Sequence, residues 1–120
     1  MRKLILLLII CVLLIGCGHS RPWTKKEVAL AWMSTGAAAA DYYTTRRNLS
    51  EIPNNHEINP VLGPRPEGTE LVCYFVTSQL LTIIVADYFD SQRSYILTGK
   101  TAINTGCAIH NNEVYHDRSQ

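Results

Sequence analysis

The sequence predicts an all-α fold: a small three-helix bundle with a helical hairpin and a long proline-rich loop, preceded by a signal peptide. Three observations carry this. Thr24-Lys25-Lys26-Glu27 has the form of a capping box, in which a threonine and the glutamate three residues later satisfy each other's free N–H groups at the start of a helix. Residues 71–89 form a long apolar stretch whose one charge, Asp87, lies near its end. At about 1.5 Å per residue it would run ~28 Å, which favours a helix over a strand despite the β-branched cluster Thr82-Ile83-Ile84-Val85. Turn formers concentrate in residues 48–69, where Pro53, Asn54, Asn55, Pro60, Gly63, Pro64, Pro66 and Gly68 exclude a regular element of any length.

The first helix is expected over residues 25–47. Its middle, Ser34-Thr35-Gly36-Ala37-Ala38-Ala39-Ala40, is small throughout, and Gly36 and Ala40 at i and i+4 predict a close approach by another helix. The second helix is expected to begin at Thr69 as its cap, with Glu70 at the positive end of the dipole. Asp90-Ser91-Gln92-Arg93 reads as a tight turn, and a third helix follows over residues 94–112, where Ile96, Ile103, Cys107 and His110 share a face. Reflecting the hairpin about residue 90 sets Cys73 opposite Cys107 and offers them as a disulfide pair in an oxidising compartment. Residues 113–120 are expected to form a polar, frayed tail.

With 120 residues there is room for one small domain. Charged residues are 18 % and the net charge is +1, without a basic run, so a nucleic-acid partner is not expected. The mean hydropathy of +0.01 and 47 % apolar content exclude a disordered charged tail.

The N-terminus carries an address. Arg2 and Lys3 precede an unbroken apolar run over residues 4–15, too short for a membrane span and of the right length for a signal-peptide core. It ends in Leu14-Ile15-Gly16-Cys17, which resembles the lipobox of bacterial lipoproteins. That resemblance implies a signal peptide of residues 1–16, acyl chains such as palmitate on Cys17, a lipidated tether over residues 17–23 and a helical domain over residues 24–112. Gly18, where an aspartate would retain a lipoprotein in the inner membrane, implies a preference for the outer membrane. The mature chain would carry nine basic and ten acidic residues, a charge of −1.

Asp41, Thr44 and Thr45 at the end of the small-residue stretch, and Glu57 and Asn59 in the loop, form a candidate polar cluster. The pattern Asp41…Thr44…Glu57-Ile58-Asn59-Pro60-Val61-Leu62-Gly63 is loosely similar to small uncharacterised membrane and prophage-encoded proteins with Asp-x-x-Thr followed by Glu-x-Asn-Pro-x-Leu-Gly. The similarity implies a helical fold and a polar cluster, and no activity. Pro60 restricts Asn59 to extended backbone. Glu57 is expected to fold back to the turn containing Asp41 and Thr45, and Asn59 to tie down the loop. His110, Glu113, His116 and Asp117 gather near the C-terminus, as cationic imidazoles at a helix end would.

No HExxH, paired CxxC or Gly-x-Ser-x-Gly motif is present, so neither a catalytic site, a metal nor a cofactor is expected. The function expected is that of a membrane-anchored lipoprotein of the cell envelope, structural or interactive in type, with the membrane and an envelope protein as partners. The alternatives are an integral membrane protein with two or three spans, and a small envelope hydrolase using Asp41, His56 and Glu57. Lipidation is directly testable. In a bacterial host fed labelled palmitate the protein takes up label, and Cys17→Ser abolishes it; equal labelling of the two would remove the assignment.

Overall fold

A computed structural model describes residues 21–52, 55–57, 59 and 61–118. The expected signal peptide over residues 1–16, the expected lipid site Cys17, and Gly18 lie outside the described residues. Among the described residues there are three α-helices: α1 (Lys25–Glu51), α2 (Gly68–Tyr88) and α3 (Arg93–Arg118), with a 3-10 turn at Asp90–Gln92 between the last two. No strand occurs among the described residues. The chain is thus an all-α three-helix bundle.

The capping box forms as expected. Glu27 N–H donates to Thr24 Oγ1 at 3.2 Å, and Thr24 N–H donates to the Glu27 carboxylate at 2.8 Å. Helix α1 continues one turn past residue 47 and stops where the Ile52 N–H closes on Asn48 O. Helix α2 starts one residue before Thr69, and its cap is Glu67, whose N–H donates to the Glu70 carboxylate at 3.0 Å. Helix α3 runs to Arg118, so residues 113–118 are helix and not a frayed tail. Tertiary contact is the reason: Tyr115 donates to Glu51 at 2.6 Å, and the Arg47 guanidinium lies 3.9 Å from the centre of its ring.

Packing differs from the sequence expectation in two ways. The dominant partner of α3 is α1 rather than α2. The side of α1 that packs carries Ser34, Ala38, Asp41, Thr45 and Asn48, all buried, while Gly36 and Ala40 face outward and nothing lies within 4 Å of a Cβ built on Gly36. The face of α3 that packs carries Arg93, Leu97 and Asn104, whereas Ile103, Cys107 and His110 are exposed. Cys73 and Cys107 are accordingly free thiols and no disulfide joins them. Because α3 turns its 104 side inward, the thiol of Cys107 stays on the exposed side instead of meeting α2.

One end of the bundle brings together the start of α1, the end of α2 and the start of α3. Arg93 is fully buried there. Its Nε donates to Ala86 O at 3.2 Å, its Nη1 to Glu27 at 3.4 Å, its Nη2 to Asp87 at 3.2 Å, and both terminal nitrogens to Arg21 O. Its guanidinium stacks 4.4 Å from the Trp23 ring, and Trp23 Nε1 donates to Asp87 at 2.8 Å. Glu27, 2 % exposed, also accepts from Arg21.

Arg93→Ala should lower stability by about 3 kcal/mol or more in a melting experiment, because it strands buried acceptors and an acidic partner. Hydrogen bonds from Arg21 and then Thr24 hold the Glu27 carboxyl at about 2, below its ordinary 4.5. A depressed carboxyl pKa contributes stability fully above the unfolded value and loses it as pH falls towards the folded one. Acid titration followed by circular dichroism should show a loss of stability between about pH 4.5 and 2 that Glu27→Gln removes.

Candidate functional site

At the opposite end of the bundle the loop folds back over α1 and α3. It is held by its own backbone: Glu57 N–H donates to Pro64 O at 3.0 Å, and Leu62 and Gly63 N–H donate to Asn59 O at 3.1 and 3.2 Å. Gly63 takes a left-handed φ of +76°, open to glycine at no steric cost. Asn59 N–H donates to Glu57 Oε1 at 2.9 Å, and Asn59 Oδ1 accepts from Val61 N–H at 3.0 Å. Asn59 thus holds the turn with both its backbone and its side chain.

Under the loop lies a cavity of about 300 Å³ lined by Thr45, Asn48, His56, Glu57, Asn111 and Arg118 among others. Behind its wall stands Asp41, buried on α1. Asn111 of α3 is the hub. Its Nδ2 donates to Thr45 Oγ1 at 2.9 Å, to Asp41 Oδ1 at 3.3 Å and to Thr44 Oγ1 at 3.4 Å, while its backbone carbonyl accepts from Asn48 Nδ2 at 2.7 Å. Thr45 Oγ1 adds a bond to Asp41 Oδ1 at 3.4 Å. The Glu57 carboxylate stands within electrostatic reach of Asp41.

The structure therefore gathers Asp41, Thr44 and Thr45 around one amide, with Glu57 over them and Asn59 holding Glu57. His56, the third member of the hydrolase alternative, is exposed on the cavity's rim beside His110. Among the described residues no three His, Cys, Asp or Glu side chains are placed to hold a metal ion between them.

Two residues of this site escape a reading of the sequence alone, Asn48 and Asn111. Asn48 continues the face of Asp41 and Thr45 by one turn, and that spacing was available. Asn111 has no such signal, because only the packing of α3 on α1 brings it to Asp41.

Similar polar bridges join the other helix pairs. Gln79 of α2 donates to Ser34 Oγ at 3.2 Å and to Thr35 Oγ1 at 3.0 Å of α1. Lys100 of α3 donates to Ser78 Oγ of α2 at 2.7 Å.

No family model, curated protein or solved structure matches this chain.

Asn111→Ala should destabilise the bundle by about 1–2 kcal/mol, since it leaves the Asp41 carboxylate and two threonine hydroxyls without their shared donor. Thermal melting of the two proteins under the same conditions checks this, and Asn111→Ala melting at the wild-type temperature would show that the hub carries no stability.

Proposed function

We propose that the chain is a lipid-anchored protein of the bacterial cell envelope, structural or interactive in type, whose three helices sit in the bilayer and not merely beside it. One observation carries this: the side-chain distribution is turned inside out. Buried positions are largely polar, namely Glu27, Ser34, Asp41, Thr45, Asn48, Thr77, Arg93 and Asn104. Large apolar and aromatic side chains point outward, among them Trp32 at 72 % exposure, Met33, Val76, Leu80, Tyr95 at 76 %, Ile103 and Ile109. A soluble protein of this size would bury such groups, because each contributes about 1.5–3 kcal/mol when removed from water. In hydrocarbon no such drive exists, and helices associate through small residues and interhelical hydrogen bonds.

The charges fit the same picture. Residues 28–45, 71–86 and 94–112 contain two Asp, Glu, Lys or Arg residues between them, Asp41 and Lys100. Both are engaged with neighbouring helices, Asp41 with Asn111 and Lys100 with Ser78. At ~1.5 Å per residue the three stretches are ~24–28 Å long, close to the hydrocarbon thickness of a bilayer. Among the described residues only α2 is long and apolar enough to qualify as a span by its own composition. The three helix pairs are each tied by a polar bridge, which supports α1 and α3 entering the membrane beside it.

The lipid-bearing Cys17 precedes the Arg93 end by a few residues of tether. Basic residues are equally many at the two ends, Arg21, Lys25, Lys26 and Arg93 at this one and Arg46, Arg47, Arg65 and Arg118 at the other, so the positive-inside rule sets no orientation. Embedded α-helices favour the inner membrane, against the preference Gly18 alone gives. Of the alternatives, the hydrolase is the less supported: Asp41 is buried in structural hydrogen bonds and His56 is exposed.

The test removes the lipid. Residues from 18 onward are exported behind a cleavable, non-lipidated secretory signal, and the membranes are washed in alkaline carbonate. The protein should stay in the membrane pellet. Its release to the supernatant would mean that the bundle is only tethered.

A further inference from the structure

Opposite charges line the cavity under the loop without meeting. Glu57 is in its wall, and so are Arg118, His56 and His110. Among the described residues Glu57 forms no ion pair with any of the three. One Glu57 oxygen accepts from Asn59 N–H at 2.9 Å, which holds the carboxylate on the loop side. Arg118 Nη1 donates to Asn55 Oδ1 at a long 3.4 Å, and among the described residues that is the guanidinium's single hydrogen bond. Leu49 and Val114 supply an apolar part of the lining.

The cavity also has a fixed place along the bundle. It takes part of its wall from Thr45 and Asn111, where the nearly uncharged stretches over residues 28–45 and 94–112 end. For an embedded bundle this is the level at which hydrocarbon gives way to lipid headgroups.

We propose that this cavity binds the headgroup of a phosphatidylethanolamine-class lipid, whose primary ammonium and phosphate diester carry opposite charges. The inference rests on the reading of the bundle as embedded. Arg118 takes the phosphate, since a guanidinium fork matches phosphate oxygens two at a time. His56 and His110 add N–H donors, which an imidazole offers in either protonation state. Glu57 takes the ammonium through the oxygen that Asn59 leaves free. A phosphatidylglycerol headgroup brings the anion alone and leaves the Glu57 charge without an opposite partner. A choline headgroup has no N–H to donate to the carboxylate. The volume of about 300 Å³ lies at the small end of ligand cavities, which run roughly 300–1,000 Å³, and suits a headgroup rather than a whole lipid.

The experiment uses the full chain in mixed micelles at constant ionic strength and constant total lipid. Short-chain phosphatidylethanolamine is titrated against the melting temperature. Phosphatidylglycerol and phosphatidylcholine with the same acyl chains, and water-soluble phosphoethanolamine, are the other arms. Phosphatidylethanolamine should give a saturable rise, with apparent binding of the other two lipids about tenfold weaker or more, as for one lost charge-assisted hydrogen bond. Arg118→Gln should remove the rise. Glu57→Gln keeps an oxygen for the Asn59 N–H, so the fold should survive, and it should make phosphatidylethanolamine and phosphatidylglycerol equivalent. A purely structural role for Glu57 would not move that preference. A wild-type response that is absent, equal for the three lipids or largest for phosphatidylglycerol would overturn the proposal, as would an unchanged rise in Arg118→Gln. A rise given by soluble phosphoethanolamine and not by the lipid would overturn the lipid as its source. Retention in carbonate without this selectivity would defeat the headgroup site and leave the embedded reading standing, whereas release in carbonate removes the embedded reading by itself.

Discussion

A guanidinium with no exposed surface needs a partner for every N–H, and Arg93 obtains them from four residues at once: Ala86 and Asp87 at the end of α2, Glu27 at the start of α1, and the carbonyl of Arg21 before it. Its position as the first residue of α3 makes these bonds a junction of all three helices. Trp23 covers the guanidinium and in turn donates to Asp87. The arrangement fixes how the chain enters α1, where α2 ends, and the angle at which α3 leaves. A lysine could not replace it, because a single ammonium lacks the planar fork that reaches both carboxylates and two carbonyls.

From that junction the helices are held along their length by polar contacts. Gln79 bridges α1 and α2, Lys100 bridges α2 and α3, and Asn111 bridges α3 and α1. The buried apolar residues, Ala38, Ile52, Leu71, Ala86 and Leu97, are few and several are small. Such a core would be a weak basis for folding in water, where apolar burial is the main favourable term. It is adequate where surrounding hydrocarbon already solvates the apolar surface and hydrogen bonds choose which helix faces meet.

The two ends of the molecule differ in character. At the Arg93 end every strong donor and acceptor is matched, and the tether to the N-terminus is clamped in the same network. At the far end the loop is closed by its own backbone and lies over a cavity, and the buried Asn48 Oδ1 nearby has no hydrogen-bond donor.

Thr24 and Glu27 state the start of α1 in the sequence, and the apolar run after Glu70 states α2, because capping and length act locally. The grouping of Asp41 with Thr45, and the return of Glu57 towards them, were also legible: Asn59, Pro60 and Gly63 prescribe the turn that brings the loop back. Tertiary structure alone decided which faces meet. Gly36 and Ala40 have the spacing of a packing motif, yet Ser34 and Ala38 face inward, because the hydrogen bonds of Asp41 and Asn48 to α3 set the rotation of α1. The same rotation of α3 that buries Asn104 leaves Cys107 outside and apart from Cys73. It also holds residues 113–118 in helix through Tyr115, whose partners Glu51 and Arg47 lie more than sixty residues away in the chain. Local chemistry thus determined where helices begin and turn, and long-range pairing of polar side chains determined how they are rotated against one another.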